Sequence, residues 1–250
     1  MKIKQIVDII EKAAPLSLAE EWDNVGLMVG DLNGECTGIM LALDLTADVI
    51  KQAIEEGCEL IVTPHPFIFR PLKHIDFDEA KGAAIKLLIQ NGISVYSAHT
   101  NLDKSERGLN TALCRLFKAK SFVMDGVGAV FTVDKTTLGE FAKRTASLLD
   151  DKSVRMTGDP NKTIESVYVV SGSGGSEYGA AVKCADVLLT GDLKHHNYID
   201  AIEDGFALVE YSHFASEIIA QDVLEDILKE TNIKTIKAKQ RSPFRLLEEI

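Results

Sequence analysis

The 250-residue chain is 46% hydrophobic and 26% charged, an ordinary globular balance that excludes a small disulfide scaffold and a disordered chain. Twenty-seven Lys and Arg against 38 Asp and Glu give a formal net charge of −11, which opposes binding to phosphate backbones or anionic lipid, so nucleic acid is not an expected partner. At this size roughly 70% of the unfolded surface is expected to be buried, which suits one large domain or, as the better starting point, two modest ones.

Ile3, Ile6, Val7, Ile9 and Ile10 recur at helical spacing up to Pro15. Asp8 and Glu11 interrupt them, which argues for an amphipathic helix and against a signal-peptide core. A short helix is expected after Ser17, and no apolar run approaches the ~20 residues of a membrane span. Residues 38–43 read as a buried strand, 46–56 as a helix ended by Gly57, and 60–62 as a second strand. A helix over 81–90, a strand over 93–97 and a helix over 109–117 continue the alternation. That alternation predicts the α/β class, with largely parallel or mixed sheets flanked by helices.

Asp125-Gly126-Val127-Gly128 reads as a joint, which divides the chain into α/β halves over 1–125 and 126–250. In the second half, strands are expected over 129–133, 154–157, 166–170, 187–190 and 207–210. Helices are expected over 137–149, 195–204 and 216–229, and the alternation also takes in 179–184. SGSGGS at 171–176 lacks both GxxxxGK[ST] and GxGxxG with a following acid, so it reads as a flexible turn and not as a phosphate loop. Residues 234–241 read as a basic solvated stretch and Glu248-Glu249 as exposed. Four cysteines without a CxxC pair are expected to be buried thiols in a reducing cytoplasm.

Five of the six histidines sit just beyond expected strands, where open α/β sheets bind ligands. His213 and Glu217, four apart at a helix start, would share one face and could grip a cation, a spacing that also suits a surface pair. His65 lies between Pro64 and Pro66 on a rigid turn after the strand at 60–62, as a ligand or as a turn cap. Ser97–Asp103 supplies His99, Asn101 and Asp103, an Asx-rich loop whose Asp103 could bridge two cations. His99 and His196 suit hydrogen bonding to a ligand as well as ligation, and Asp192 suits a helix cap. Trp22 and Asn24 read as packing and turn groups, and His74 and His195 carry no expected role.

Glu21-Trp22-Asp23-Asn24-Val25-Gly26-Leu27, His65-Pro66, Ser97–Asp103 with Gly108 and Asn110, Thr190-Gly191-Asp192 with His196, and His213 with Glu217 occur in one order along nearly the whole chain. In that order they resemble the Nif-three-like family, which includes GTP cyclohydrolase 1 type 2 homologues. The resemblance implies two related α/β halves, a toroidal homohexamer, and a dinuclear metal site between the halves. It implies His65, Asp103, His213 and Glu217 as metal ligands, with Asp103 and Glu217 also positioning water for attack on an electrophile. The family usually places two consecutive histidines before the proline, whereas this chain has Pro64 in the first place. One ion would keep His65, Asp103 and Glu217, and a second would be weakened unless His99 or water replaces the missing imidazole.

The expectation is therefore a cytoplasmic metal-dependent hydrolase of cyclohydrolase type, holding one or two divalent ions of Zn, Fe, Mn, Ni or Co. Its substrate would be a small molecule of unknown identity, with a nucleotide among the candidates, and neither a membrane nor a nucleic acid is an expected partner. The alternative is a non-catalytic, ring-forming metal-binding or regulatory protein.

Overall fold

The computed structural model describes residues 1–247; the expected exposed pair Glu248-Glu249 lies outside the described residues. In chain order the elements are α1 (Ile3–Ala13), β1 (Gly26–Val29), β2 (Gly38–Leu41), α2 (Ala47–Glu56), β3 (Leu60–Thr63), α3 (Ala80–Gln90), β4 (Ser94–Ser97) and α4 (Thr100–Asp103). Then come α5 (Leu109–Leu116), β5 (Ser121–Asp125), β6 (Gly128–Thr137), α6 (Leu138–Leu149), β7 (Arg155–Thr157), β8 (Thr163–Ser173), α7 (Tyr178–Cys184) and β9 (Val187–Gly191). The chain ends with α8 (His195–Glu203), β10 (Ala207–Glu210), α9 (His213–Glu217), α10 (Ala220–Leu228) and β11 (Lys234–Lys237).

Two compact units share these elements: residues 1–108 with 220–241, and 109–219 with the segment from 242. The joint expected at 125 is instead the tip of a hairpin, because Asp125 pairs with Gly128 where β5 and β6 run antiparallel in one sheet. Among the described residues, no helix is long and apolar enough to cross a membrane.

The first unit holds a five-stranded sheet in the order β1-β4-β3-β2-β11. β4, β3, β2 and β11 are parallel, and β1 closes one edge antiparallel to β4. α1 forms because Ile3, Ile6, Val7 and Ile10 fall on one face, and all four are buried. α2 starts where the Thr46 hydroxyl accepts from the Val49 N–H at 3.3 Å, and it stops at Gly57, whose φ of +66° disfavours a side chain. Met40, Ile61 and Val95 pack against Ile50, Leu88 and Phe67, each fully buried aliphatic side chain contributing about 1.5–3 kcal/mol.

The second unit holds a six-stranded mixed sheet, β5-β6-β8-β9-β10-β7, in which β8, β9 and β10 are parallel. Alternation along β8 sends Val167 and Val169 to one face, where Phe117, Phe131 and Phe141 pack, and Tyr168 and Val170 to the other, with Leu188, Leu208 and Phe206. Both faces of the sheet are thus covered, as parallel strands require.

Several elements differ from the sequence expectation. The short helix near Ser17 is a single turn over Leu16–Leu18. Ser171–Ser173 of the expected flexible turn belongs to β8, and the long helix expected over 216–229 is interrupted at Ile218-Ile219 between α9 and α10. The basic stretch contains an edge strand, β11, paired to β2. Cys36, Cys58 and Cys114 are buried as expected, but Cys184 is exposed. Burial pushes the Cys36 and Cys114 thiols up to about 12, which leaves them inert.

Candidate metal centre

In the first unit, three parallel strands end at one edge of the sheet, and the segments leaving them carry Asp44 after β2, His65 after β3 and His99 after β4. The His65 main-chain carbonyl accepts from the Thr63 hydroxyl at 2.8 Å and from the Ser97 hydroxyl at 3.3 Å, which fixes the turn between its two prolines. Its side-chain Nδ1 lies 2.7 Å from Asp44 Oδ1. His99 Nδ1 lies 2.9 Å from Asp23 Oδ1, and the two imidazoles meet edge to face with ring centres 5.9 Å apart. Burial opposes the Asp23 charge, yet hydrogen bonds from His99 and from the Thr100 hydroxyl and N–H outweigh it and hold its pKa at about 2. Asp103 ends α4 half-buried, and its N–H donates to the His99 carbonyl at 3.0 Å.

The second unit repeats this construction. The segments leaving β9 and β10 carry Asp192 and His213, and His213 Nδ1 lies 2.7 Å from Asp192 Oδ2. Ser212 caps α9 by accepting from the Ala215 N–H at 3.2 Å, while its own N–H donates to Asp151 at 2.6 Å. Burial works against the Asp151 charge, but bonds from Ser153 and Ser212 prevail and its pKa lies below the usual carboxylate value. One helical turn brings the buried Glu217 to 2.9 Å from His213 Nε2. Gly172, at φ +61°, closes the other side of this pair. A methyl group on it would collide with Glu217 Oε1 and stand 3.0 Å from His213 Nε2.

The same device therefore appears twice. In β2-α2-β3 and again in β9-α8-β10, an aspartate beyond the first strand meets Nδ1 of a histidine 21 residues later, beyond the adjacent parallel strand. A carboxylate on Nδ1 fixes the ring and its tautomer and leaves Nε2 as the nitrogen that could accept a ligand, an arrangement that commonly supports metal-bound histidines. Sequence reasoning missed Asp44 and left Asp192 as a cap. The available signal was an acid just after each of two apolar strands, 21 residues before a histidine. His196 is not drawn into this arrangement: it is exposed on the first turn of α8, its ring 5.6 Å from that of His195.

The Duf34/NIF3 (NGG1p interacting factor 3) profile matches residues 1–243. The chain belongs to the DUF34/NIF3 family. It is 39% identical over 262 residues to the GTP cyclohydrolase 1 type 2 homolog of Clostridium perfringens, covering 99% of this chain and 100% of that protein. A GTP cyclohydrolase 1 type 2 homolog from Methanocaldococcus jannaschii is 35% identical, with 91% and 95% covered. Among solved structures, Staphylococcus aureus protein SA1388 superposes with a TM-score of 0.92 at 30% identity, covering 99% of both chains. Reduced HcgD from M. jannaschii superposes with a TM-score of 0.84 at 33% identity, covering 96% of this chain and 98% of the other. The mixed α/β architecture with two sheets is that of NIF3 proteins.

Proposed function

We propose that this DUF34/NIF3 chain binds a divalent cation through His65, Asp103, His213 and Glu217 and acts as a metal-dependent hydrolase of the cyclohydrolase kind for which its relatives are named. The observation that carries the reading is the duplicated aspartate–histidine device, since two imidazoles locked on Nδ1 at strand ends are hard to explain by packing alone. The donor set fits such an ion: two imidazoles and two carboxylates without thiolate suit Zn, Fe, Mn, Ni or Co, and Gly172 keeps the approach to His213 and Glu217 clear of a side chain. When bound, the cation supplies Lewis-acid polarisation and makes water nucleophilic near neutral pH.

The chain's own residues orient these groups. Asp44 and Asp192 hold the imidazoles, and Asp103 and Glu217 hold the negative charge that the ion requires. His99, braced by Asp23, stands against the His65 ring and is placed to take up or return a proton. The homohexamer, the cytoplasmic setting and a small-molecule substrate belong to the same proposal.

Elemental analysis of the purified protein tests it. The wild-type chain is expected to retain cation after dialysis, and Asp44→Ala or Asp192→Ala to weaken affinity about 10- to 100-fold. A metal-replete wild-type protein that holds no ion sinks the reading. Pro64 favours a second reading, a metal-binding scaffold without turnover, because it is buried and brings no donor where the family usually has a histidine. Asp103→Ala separates the two: an enzyme loses turnover, while a scaffold keeps its assembly.

A further inference from the structure

The loop that carries the chain's single tryptophan is tied down on both sides, yet it leaves that residue in water. The Glu20 N–H donates to the Thr100 hydroxyl at 3.0 Å, Asp23 accepts from His99 and Thr100, and the Asn24 amide donates to the Ile68 carbonyl at 2.5 Å. Between these anchors the Trp22 indole is 62% exposed, and Phe69, immediately after the tethered Ile68 in the neighbouring loop, is 46% exposed. Their rings meet edge to face at 5.9 Å, and both meet His99, at 6.3 Å and 6.2 Å. His99 in turn contacts His65. A continuous set of rings therefore runs from an exposed indole to the imidazole of a proposed ligand, all within one unit.

We infer that Trp22 and Phe69 form the recognition platform for a planar nitrogen heterocycle, the ring system of the small-molecule substrate. Rigidly held, solvent-facing aromatic faces lose little entropy when a ligand covers them, and stacking on such faces is tolerant of which heterocycle stacks. An electron-rich indole suits an electron-poor ring, and the contact with His99 and His65 places that ring's edge beside the groups that would act on it. Arg70, following Phe69, is an exposed cation on the same loop and suits a phosphate attached to the heterocycle. The inference rests on the proposed reaction only for what happens to the ring once bound; the platform itself needs no cation.

Because Trp22 is the sole tryptophan, its fluorescence reports the platform directly. In chelator, the full-length protein is titrated with guanosine, adenosine and uridine, and with ribose 5-phosphate as a control lacking the ring. Saturable quenching by nucleosides and none by the sugar phosphate is expected. Phe69→Ala should weaken binding roughly tenfold, and by equilibrium dialysis Trp22→Ala should do the same while Trp22→Phe largely retains binding. Unquenched emission from folded protein overturns the inference, as does equal quenching by ribose 5-phosphate. An emission shift that follows protein concentration, with self-association lost in Trp22→Ala, also overturns it by assigning the patch to a second copy of the chain. Nucleoside binding in chelator upholds the platform whether or not the protein retains a cation, and elemental analysis decides the metal reading separately.

Discussion

At Gly172 one methyl group would block the approach to the proposed ligands Glu217 and His213. The residue sits at φ +61°, and its missing side chain is the space in which Glu217 and His213 approach each other. Gly172→Ala is expected to cost about 1–3 kcal/mol in urea unfolding and to abolish cation retention, because the backbone strain and the collision with Glu217 act together. Full cation retention in the alanine variant would place the ion elsewhere. Pro64 poses the opposite question. Pro64→His returns an imidazole beside His65 and should raise the ion count per chain measured by elemental analysis. An unchanged count means that the missing histidine does not limit occupancy. The ligand candidates were readable from short spacings and resemblance, whereas Asp44 was not. It meets His65 only through the parallel register of β2 and β3, in which Leu41 faces Val62, so the 21-residue separation carries meaning only once that strand pairing is known.

Among the elements, burial decided what could be read. The helices and the central strands carry continuous or periodic apolar residues, and their expected limits lie close to the observed ones. No strand was expected at β1, β5 or β11, and each is an edge strand: the apolar runs in β1 and β5 are only three residues long, 27–29 and 122–124, β5 leaves Val123 70% exposed, and β11 lies in a stretch read as basic and solvated. The helix expected over 216–229 was overextended because the apolar period continues through Ile218-Ile219, where the chain turns and passes from one unit to the other. Side-chain bonds at strand ends supply what propensity does not. Asp186 accepts from the Glu165 and Ser166 N–H groups, each at 2.9 Å, and from the Ser166 hydroxyl at 2.7 Å, clamping β8 to the start of β9. Burial opposes its charge, but these bonds and Lys162 lower its pKa. A carboxyl depressed by folding adds stability above its unfolded pKa and loses it as pH falls through the folded one. Acid unfolding of Asp186→Asn should therefore show a shallower loss of stability below about pH 4 than the wild type. Equal slopes in the two proteins would remove Asp186 from the account.

For the whole molecule, the proposed ligands are divided between the units: His65 and Asp103 belong to one, His213 and Glu217 to the other. A ligand that binds only the folded chain stabilises it by mass action, about 2.7 kcal/mol at a hundred times its dissociation constant. In a chain of this length that is a rise in melting temperature of about 5–10 °C on adding Zn to chelator-treated protein, read by calorimetry. The division between units gives the experiment its force. If all four residues serve one centre, His65→Ala and Glu217→Ala should each remove most of the rise, though neither residue shares a unit with the other. Two independent sites would instead leave about half of it in each variant. The formal charge changes in step: every retained divalent ion offsets two of the eleven net negative charges, so Zn-loaded protein should focus above the sequence isoelectric point of about 5.0. A melting temperature and an isoelectric point that both ignore Zn would show that the acidity only solubilises the surface.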